Sequence, residues 1–282
     1  MCQLLGMNCN SPTDIVFSFE GFRRRAGVTD QHNDGFGIAF FEGKGVRIFR
    51  DDRPGASSPV ADLVKQYHIK SYNVIAHIRK ATRGSVNLEN THPFIREVFG
   101  ENWVFAHNGD LETVPDLEQS HCHPIGTTDS EAAFCYIVDS IKNRFASKPS
   151  EQEIFEFMQE ITPELSSRGT FNYILSNGQW MLAHCSTNLH YICRKAPFGK
   201  ACRIDDDEVI DFSQYAKPDD RVVIISTYPL TKDEQWTRMG KHGFAFFKDG
   251  ALLFNEPGRP FTPEEIDAMR ITAADCKPLK VA

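Results

Sequence analysis

The sequence contains no apolar run approaching the roughly 18 residues needed to cross a bilayer, and no basic region followed by an apolar stretch near its start. These absences point to a cytoplasmic protein with no membrane partner. Cysteine is sparse, eight in 282 residues, which excludes a disulfide scaffold; in a reducing compartment most of these thiols read as small core side chains. Clustered positive charge is missing too. The formal net charge is -7, and the one dense basic run, Arg23-Arg24-Arg25, reads as the solvated end of a helix. Nucleic-acid binding needs grouped Lys and Arg to release counterions, so no nucleic-acid partner is expected. Gly35 and Gly37 lack a following Gly-Lys-Ser/Thr, which excludes a phosphate loop. Repeats, low-complexity tracts and linkers are absent, so residues 1–282 read as one domain.

What is there supports a folded core: 41% of the residues are apolar and 24% charged. Ser11-Pro12-Thr13-Asp14 reads as a helix start with proline at the first position, followed by Ile15, Phe19 and Phe22 on one face. Residues 35–41 and 46–49 read as a hairpin turned at Glu42-Gly43-Lys44-Gly45, and 60–67 as a helix. Strands follow at 74–79 and 103–106. Thr128-Asp129-Ser130-Glu131 has capping-box spacing before an apolar helix, and Ser150 to Glu153 opens another. Asn177-Gly178 marks a hairpin, strands recur at 191–193, 222–226 and 244–247, and Thr262-Pro263 caps a last helix. Hairpins grouped between helices, without steady strand–helix alternation, predict an α+β fold of antiparallel sheets covered by helices.

The chemistry begins with Met1-Cys2. Removing Met1 gives one residue both a thiol and an α-amine, whose ordinary pKa of roughly 7.7–8.0 suits it to take the thiol proton. By itself the dipeptide reads as an ordinary packing cysteine, and its value depends on partners elsewhere. Asn108-Gly109, after an apolar strand, offers a side-chain amide and a backbone N–H for an oxyanion, or else a simple turn. Arg79 ends a strand of Val, Ile and Ala and can grip a carboxylate with two donors; Asp129 can hold an ammonium while capping its helix. His121-Cys122-His123 has zinc-ligand chemistry but no second pair at ligand spacing, so it reads as a loop, and no metal or cofactor is called for.

Together, Met1-Cys2, Asp34-Gly35-Phe36-Gly37-Ile38-Ala39, His77-Ile78-Arg79-Lys80-Ala81-Thr82, Thr91-His92-Pro93, His107-Asn108-Gly109 and Thr127-Thr128-Asp129-Ser130-Glu131 resemble, in order, the class II glutamine amidotransferases, most closely their stand-alone YafJ-type branch. A weaker echo lies in Ser226-Thr227-Tyr228-Pro229-Leu230. The resemblance implies an Ntn-hydrolase fold, a four-layer αββα sandwich of two antiparallel sheets. It also implies Cys2 as nucleophile with its α-amine as base, Asn108 and Gly109 as oxyanion hole, Arg79 as carboxylate clamp, Asp129 as ammonium anchor and Thr82 as a substrate contact. His77, His92 and His107 fall into support roles. Lys80 and Arg83 stand where synthase-linked members have an aromatic residue and a histidine. The expected reaction is hydrolysis of the glutamine side-chain amide, with any ammonia-using synthase a separate partner. The alternatives are a γ-glutamyl amidase or peptidase and a non-catalytic glutamine-binding module.

Overall fold

A computed structural model describes residues 2–82, 84–118 and 120–274, with side chains to residue 269. Strand β1 (Gln3–Asp14) leads into helix α1 (Val16–Arg24), then the hairpin of β2 (Phe36–Glu42) and β3 (Gly45–Asp51). Helix α2 (Pro59–Tyr67) starts at Ser58, whose hydroxyl accepts from Val60 N and Ala61 N, with Pro59 at the first position where an amide hydrogen has no partner to lose. Strands β4 (Lys70–Ile78), β5 (Phe94–Val98) and β6 (Glu101–Leu111) precede helices α3 (Asp129–Arg144) and α4 (Glu151–Ser166). The Ser150–Glu153 capping box of α4 is complete. At α3 only half of it forms: Thr128 caps Glu131 N, while the Glu131 carboxylate turns to Gly126 N and Arg96.

The Asn177-Gly178 turn joins β7 (Gly169–Ser176) to β8 (Trp180–Cys185), and β9 (His190–Lys195) follows. Strands β10 (Lys200–Cys202) and β11 (Val209–Asp211) pair only with each other. Then come β12 (Arg221–Ser226), β13 (Thr237–Arg238), the hairpin of β14 (Gly243–Lys248) and β15 (Ala251–Glu256), and α5 (Pro263–Ala274).

The strands form two antiparallel sheets. One has the order β13-β9-β12-β1-β4-β2-β3, the other β15-β14-β8-β7-β6-β5. Period-two alternation sends side chains to different cores. From β1, Leu5, Met7 and Cys9 join Phe19, Phe22 and Val64 beneath α1 and α2, whereas Leu4 faces Val104, Ile174 and Met181 of the other sheet. From β6, Trp103 and Phe105 point to Phe134, Ile137 and Met158 of α3 and α4. Three apolar layers thus hold four layers of backbone, helices–sheet–sheet–helices, which is the expected αββα sandwich. Each fully buried Leu or Phe contributes roughly 1.5–3 kcal/mol. Between the sheets Gly6 leaves room for Met181, whose Sδ a Cβ there would approach to 2.8 Å, so a larger residue would push the methionine aside.

Two expectations need correction. The helix expected to open at Ser11 opens at Val16: residues 11–14 remain strand because Thr13 and Asp14 pair with Ser71 and Lys70, and tertiary pairing overrides the local cap signal. Asp14 Oδ1 instead accepts from Val16 N. The basic run is not all solvated. Arg25 is 5% exposed, and its guanidinium donates to Asp205, Gln3 Oε1 and the carbonyls of Tyr228 and Pro229.

Candidate active site

Strand β1 is central in its sheet, so its first residue has a fixed address. Gln3 pairs with Ile78 at the end of β4, and on the other side Thr227 N donates to Leu4 O. Cys2 is thereby set beside the residues that follow β4, with its Sγ 3.3 Å from both N and O of Lys80. Burial pushes the Cys2 thiol pKa up; the Lys80 amide and the Arg79 cation pull the other way but are outweighed.

Cys2 lines a cavity of about 20 Å³, together with Arg79, Thr82, Gly109 and Asp129. Five of the six sequence-predicted site residues thus share one cavity. Asn108, the sixth, is not on its lining: it is buried, with Nδ2 3.4 Å from Thr227 Oγ1, and its Oδ1 has no hydrogen-bond partner among the described residues. Asn108-Gly109 is strand, not turn, in register with Asn172 and Phe171 of β7. Gly109 admits no side chain, since a Cβ would sit 1.8 Å from Thr170 O and 2.5 Å from His107 Nε2.

Arg79 is 3% exposed; its guanidinium donates to Ser85 O at 2.9 Å and Gly84 O at 3.4 Å. Asp129, first residue of α3, accepts from Leu111 N at 2.8 Å through Oδ2. Two sheets and a helix end therefore meet at this point: β1 and β4 bring Cys2 and Arg79, β6 brings Gly109, and α3 brings Asp129.

His92 and His107 also line the cavity, with His77 behind them. The His107 Nε2–H donates to Thr170 O at 3.0 Å while Nδ1 accepts from the Ser130 hydroxyl at 2.8 Å, which fixes a neutral tautomer. The His77 Nε2–H donates to His107 O, and the His77 and His92 rings lie 4.1 Å apart. Burial lowers the pKa of all three, that of His77 to about 3 and that of His92 well below its ordinary value. Such imidazoles carry no charge near neutral pH and supply shape and hydrogen bonds.

Several residues that lie in the motifs without a role assigned there, and Asn90 outside them, position the site. Asp34 Oδ2 accepts from Ala81 N at 2.7 Å, and Gly35 O accepts from Arg79 N, so the Asp34-Gly35 turn holds the Arg79–Thr82 wall. Gly37 leaves room for the His92 carbonyl, which a Cβ would approach to 2.1 Å. Buried Asn90 binds Thr127 N and Ser85 O. Thr227 Oγ1 accepts from Leu4 N at 2.9 Å, which gives the weak Ser226–Leu230 echo a structural meaning. A periodicity reading cannot see these, because each joins segments far apart in the chain. Met1 and Arg83 lie outside the described residues, and no cluster of three or more His, Cys, Asp or Glu suited to a metal occurs among the described ones. No helix of these residues is long and apolar enough to cross a membrane.

With this geometry in hand, comparison with known proteins gives a consistent picture. The family model described as class II glutamine amidotransferases matches residues 1–268. A Haemophilus influenzae protein named "Putative glutamine amidotransferase" is 68% identical over 92% of this chain and 88% of its own. The Escherichia coli protein named "Putative glutamine amidotransferase YafJ" is 50% identical over 85% of this chain and 94% of its own. The crystal structure of a "predicted glutamine amidotransferase" from Pseudomonas aeruginosa superposes with a TM-score of 0.71 at 38% identity, covering 90% of this chain and 100% of that one. The sandwich, the cavity at the start of β1 and these likenesses converge: the chain belongs to the class II glutamine amidotransferase family and resembles its YafJ-type members.

Proposed function

We propose that the protein hydrolyses the side-chain amide of glutamine through a Cys2 thioester, with residues 1–282 forming a single cytoplasmic amidotransferase domain. The observation that carries the reading is the shared cavity of Cys2, Arg79, Thr82, Gly109 and Asp129. A nucleophile, a cation for a carboxylate and an anion for an ammonium are what an amino-acid amide requires.

Because burial raises the Cys2 pKa, the thiol is protonated near neutral pH and needs a base at hand. Removal of Met1 supplies it. The α-amine takes the thiol proton, Sγ attacks the amide carbon, and the tetrahedral intermediate collapses as the ammonium returns that proton to departing ammonia. Water then attacks the thioester and glutamate leaves. Arg79 holds the α-carboxylate, Asp129 the α-ammonium, and Thr82 contacts the substrate. The oxyanion falls to Gly109 N–H and the Asn108 amide, and such a donor typically contributes about 2.7–4 kcal/mol. Turning the Asn108 amide over satisfies its orphaned oxygen against the Thr227 hydroxyl and exchanges that oxygen for an N–H. A volume of about 20 Å³ holds about one water, so the cavity must widen to admit glutamine.

Ammonia would pass to a separate synthase. A γ-glutamyl amidase or peptidase, which would use the same cavity on glutamine-like conjugates, is the second reading.

A diazo-ketone analogue of glutamine tests the reading when combined with intact-mass and peptide mapping. The expected product is one adduct on Cys2 of a chain lacking Met1. Labelling elsewhere, or full turnover by a chain that retains Met1, overturns it. Ammonia release from glutamine, set against amine release from γ-glutamyl peptides, separates the two substrate classes.

A further inference from the structure

Helix α3 does more than deliver Asp129. Glu131, Cys135 and Asp139 are spaced four residues apart and so form one stripe along the helix. Each grips the segment that leads into it. Gly126 N donates to Glu131 Oε2 at 2.7 Å, Cys122 Sγ lies 2.7 Å from Cys135 Sγ, and the Ser120 hydroxyl donates to the Asp139 carboxylate. The segment thus runs back along the helix on three rungs, and the middle rung is a pair of thiols. That separation is about 0.65 Å longer than a disulfide bond of about 2.05 Å. Ser120 also fixes the turn itself, accepting from Cys122 N at 3.0 Å. Arg96 of β5 braces the pair from a third side: Nη2 lies 3.8 Å from Cys135 Sγ and donates to Glu131 Oε1 at 2.6 Å and His123 O at 3.2 Å.

We propose that Cys122 and Cys135 are a reversible dithiol–disulfide pair, whose closure staples the 120–128 segment onto α3 and fixes the cavity wall made by Thr128, Asp129 and Ser130. The bridge would join residues 13 positions apart, and all three wall residues lie inside that loop. Cys122 is the attacking sulfur. It is the more accessible of the two, 8% against 0% exposed, and it lies between the exposed His121 and His123. The hydrogen bond with Cys135, aided by Arg96, lowers its pKa to about 7 and raises that of Cys135. With a peroxide as oxidant, the Cys122 thiolate displaces hydroxide from the O–O bond and becomes a sulfenic acid; the hydroxide takes up the proton Cys122 has lost. Cys135 sulfur then attacks Cys122 sulfur, and the hydroxyl leaves with the Cys135 proton as water. Two thiols and one peroxide give a disulfide and two waters, and a dithiol reductant reverses the change.

The link itself stands on this geometry, while its bearing on substrate rests on the proposed catalytic reading. The test therefore uses readouts that need no turnover. The full chain carrying Cys2→Ala, which removes the thiol of the catalytic cavity, is treated with hydrogen peroxide. The expected result is a mass loss of two hydrogens, one cross-linked peptide joining Cys122 to Cys135, and a Tm higher by about 5 °C or more, all reversed by dithiothreitol. A second variant adding Cys122→Ser, at the less buried position, should show neither the mass loss nor the Tm shift. The proposal is overturned if Cys122 and Cys135 both remain open to alkylation after oxidation, if Cys122 links to a different cysteine, or if the link forms with no rise in Tm.

Discussion

The two ends of one structural problem, how to hold a thiol ready for reaction, are solved differently at Cys2 and at Cys122. Cys2 sits where burial outweighs its nearby cation, so its pKa rises and its sulfur stays protonated until a base arrives. Cys122 has a second thiol and Arg96 at its side, and its pKa falls. Under the proposed function, the difference teaches that an amidohydrolase nucleophile need not be a standing thiolate: its reactivity would be withheld and delivered only when substrate and base meet in the cavity. The Cys122 pair has its activating groups built in and needs only an oxidant.

The sharpest way to break this contrast is to exchange the two thiols for inert groups. Cys2→Ala is expected to lower glutamine turnover by ~10⁴-fold or more with the fold intact by circular dichroism, as is usual when a covalent nucleophile is lost. Cys122→Ser should leave turnover under reducing conditions within about twofold, and the reverse pattern would remove the assignment.

Acid probes the desolvated side of the comparison. His77, His92 and His107 around the cavity, and His184 in β8, all have pKa values lowered by burial, to about 3 for His77 and His184. Unfolding frees them to bind protons near their ordinary value of about 6.5. Stability is therefore full above that pH and drains away as the pH falls below about 6.5, for His77 and His184 by about 1.4 kcal/mol per unit each down towards pH 3. A urea midpoint that stays constant between pH 7.5 and 5.5 would contradict the neutral cluster.

A smaller effect is expected at Arg79. Arg79→Lys keeps the charge but loses the planar two-donor fork, so KM for glutamine should rise about tenfold with kcat little altered. An unchanged KM would move the carboxylate clamp elsewhere.

Much of the fold was legible in the sequence because its signals are local. The Phe36–Asp51 hairpin, the Asn177-Gly178 turn and the Ser150–Glu153 cap are each decided by a few adjacent residues. Ser11-Pro12 misled because a cap signal costs nothing to display, while the pairing of Thr13 with Ser71 is invisible at short range. The site roles read from the ordered motifs fell on five residues that line the cavity, yet no role was read for Asp34 and Thr227, whose contacts hold its walls. Those contacts join segments 47 and 223 residues apart, distances at which no periodicity speaks. Cys122 was read as part of a polar loop because its partner lies on a helix already explained by its apolar face.

The placement of β1 has a consequence for biosynthesis. Strand β1, which follows Cys2, is flanked on one side by β12, and Thr227, 223 residues further along, secures Leu4. A chain that stops short of β12 therefore cannot hold Cys2 in its finished setting, and the proposed amide hydrolysis needs β12 in place.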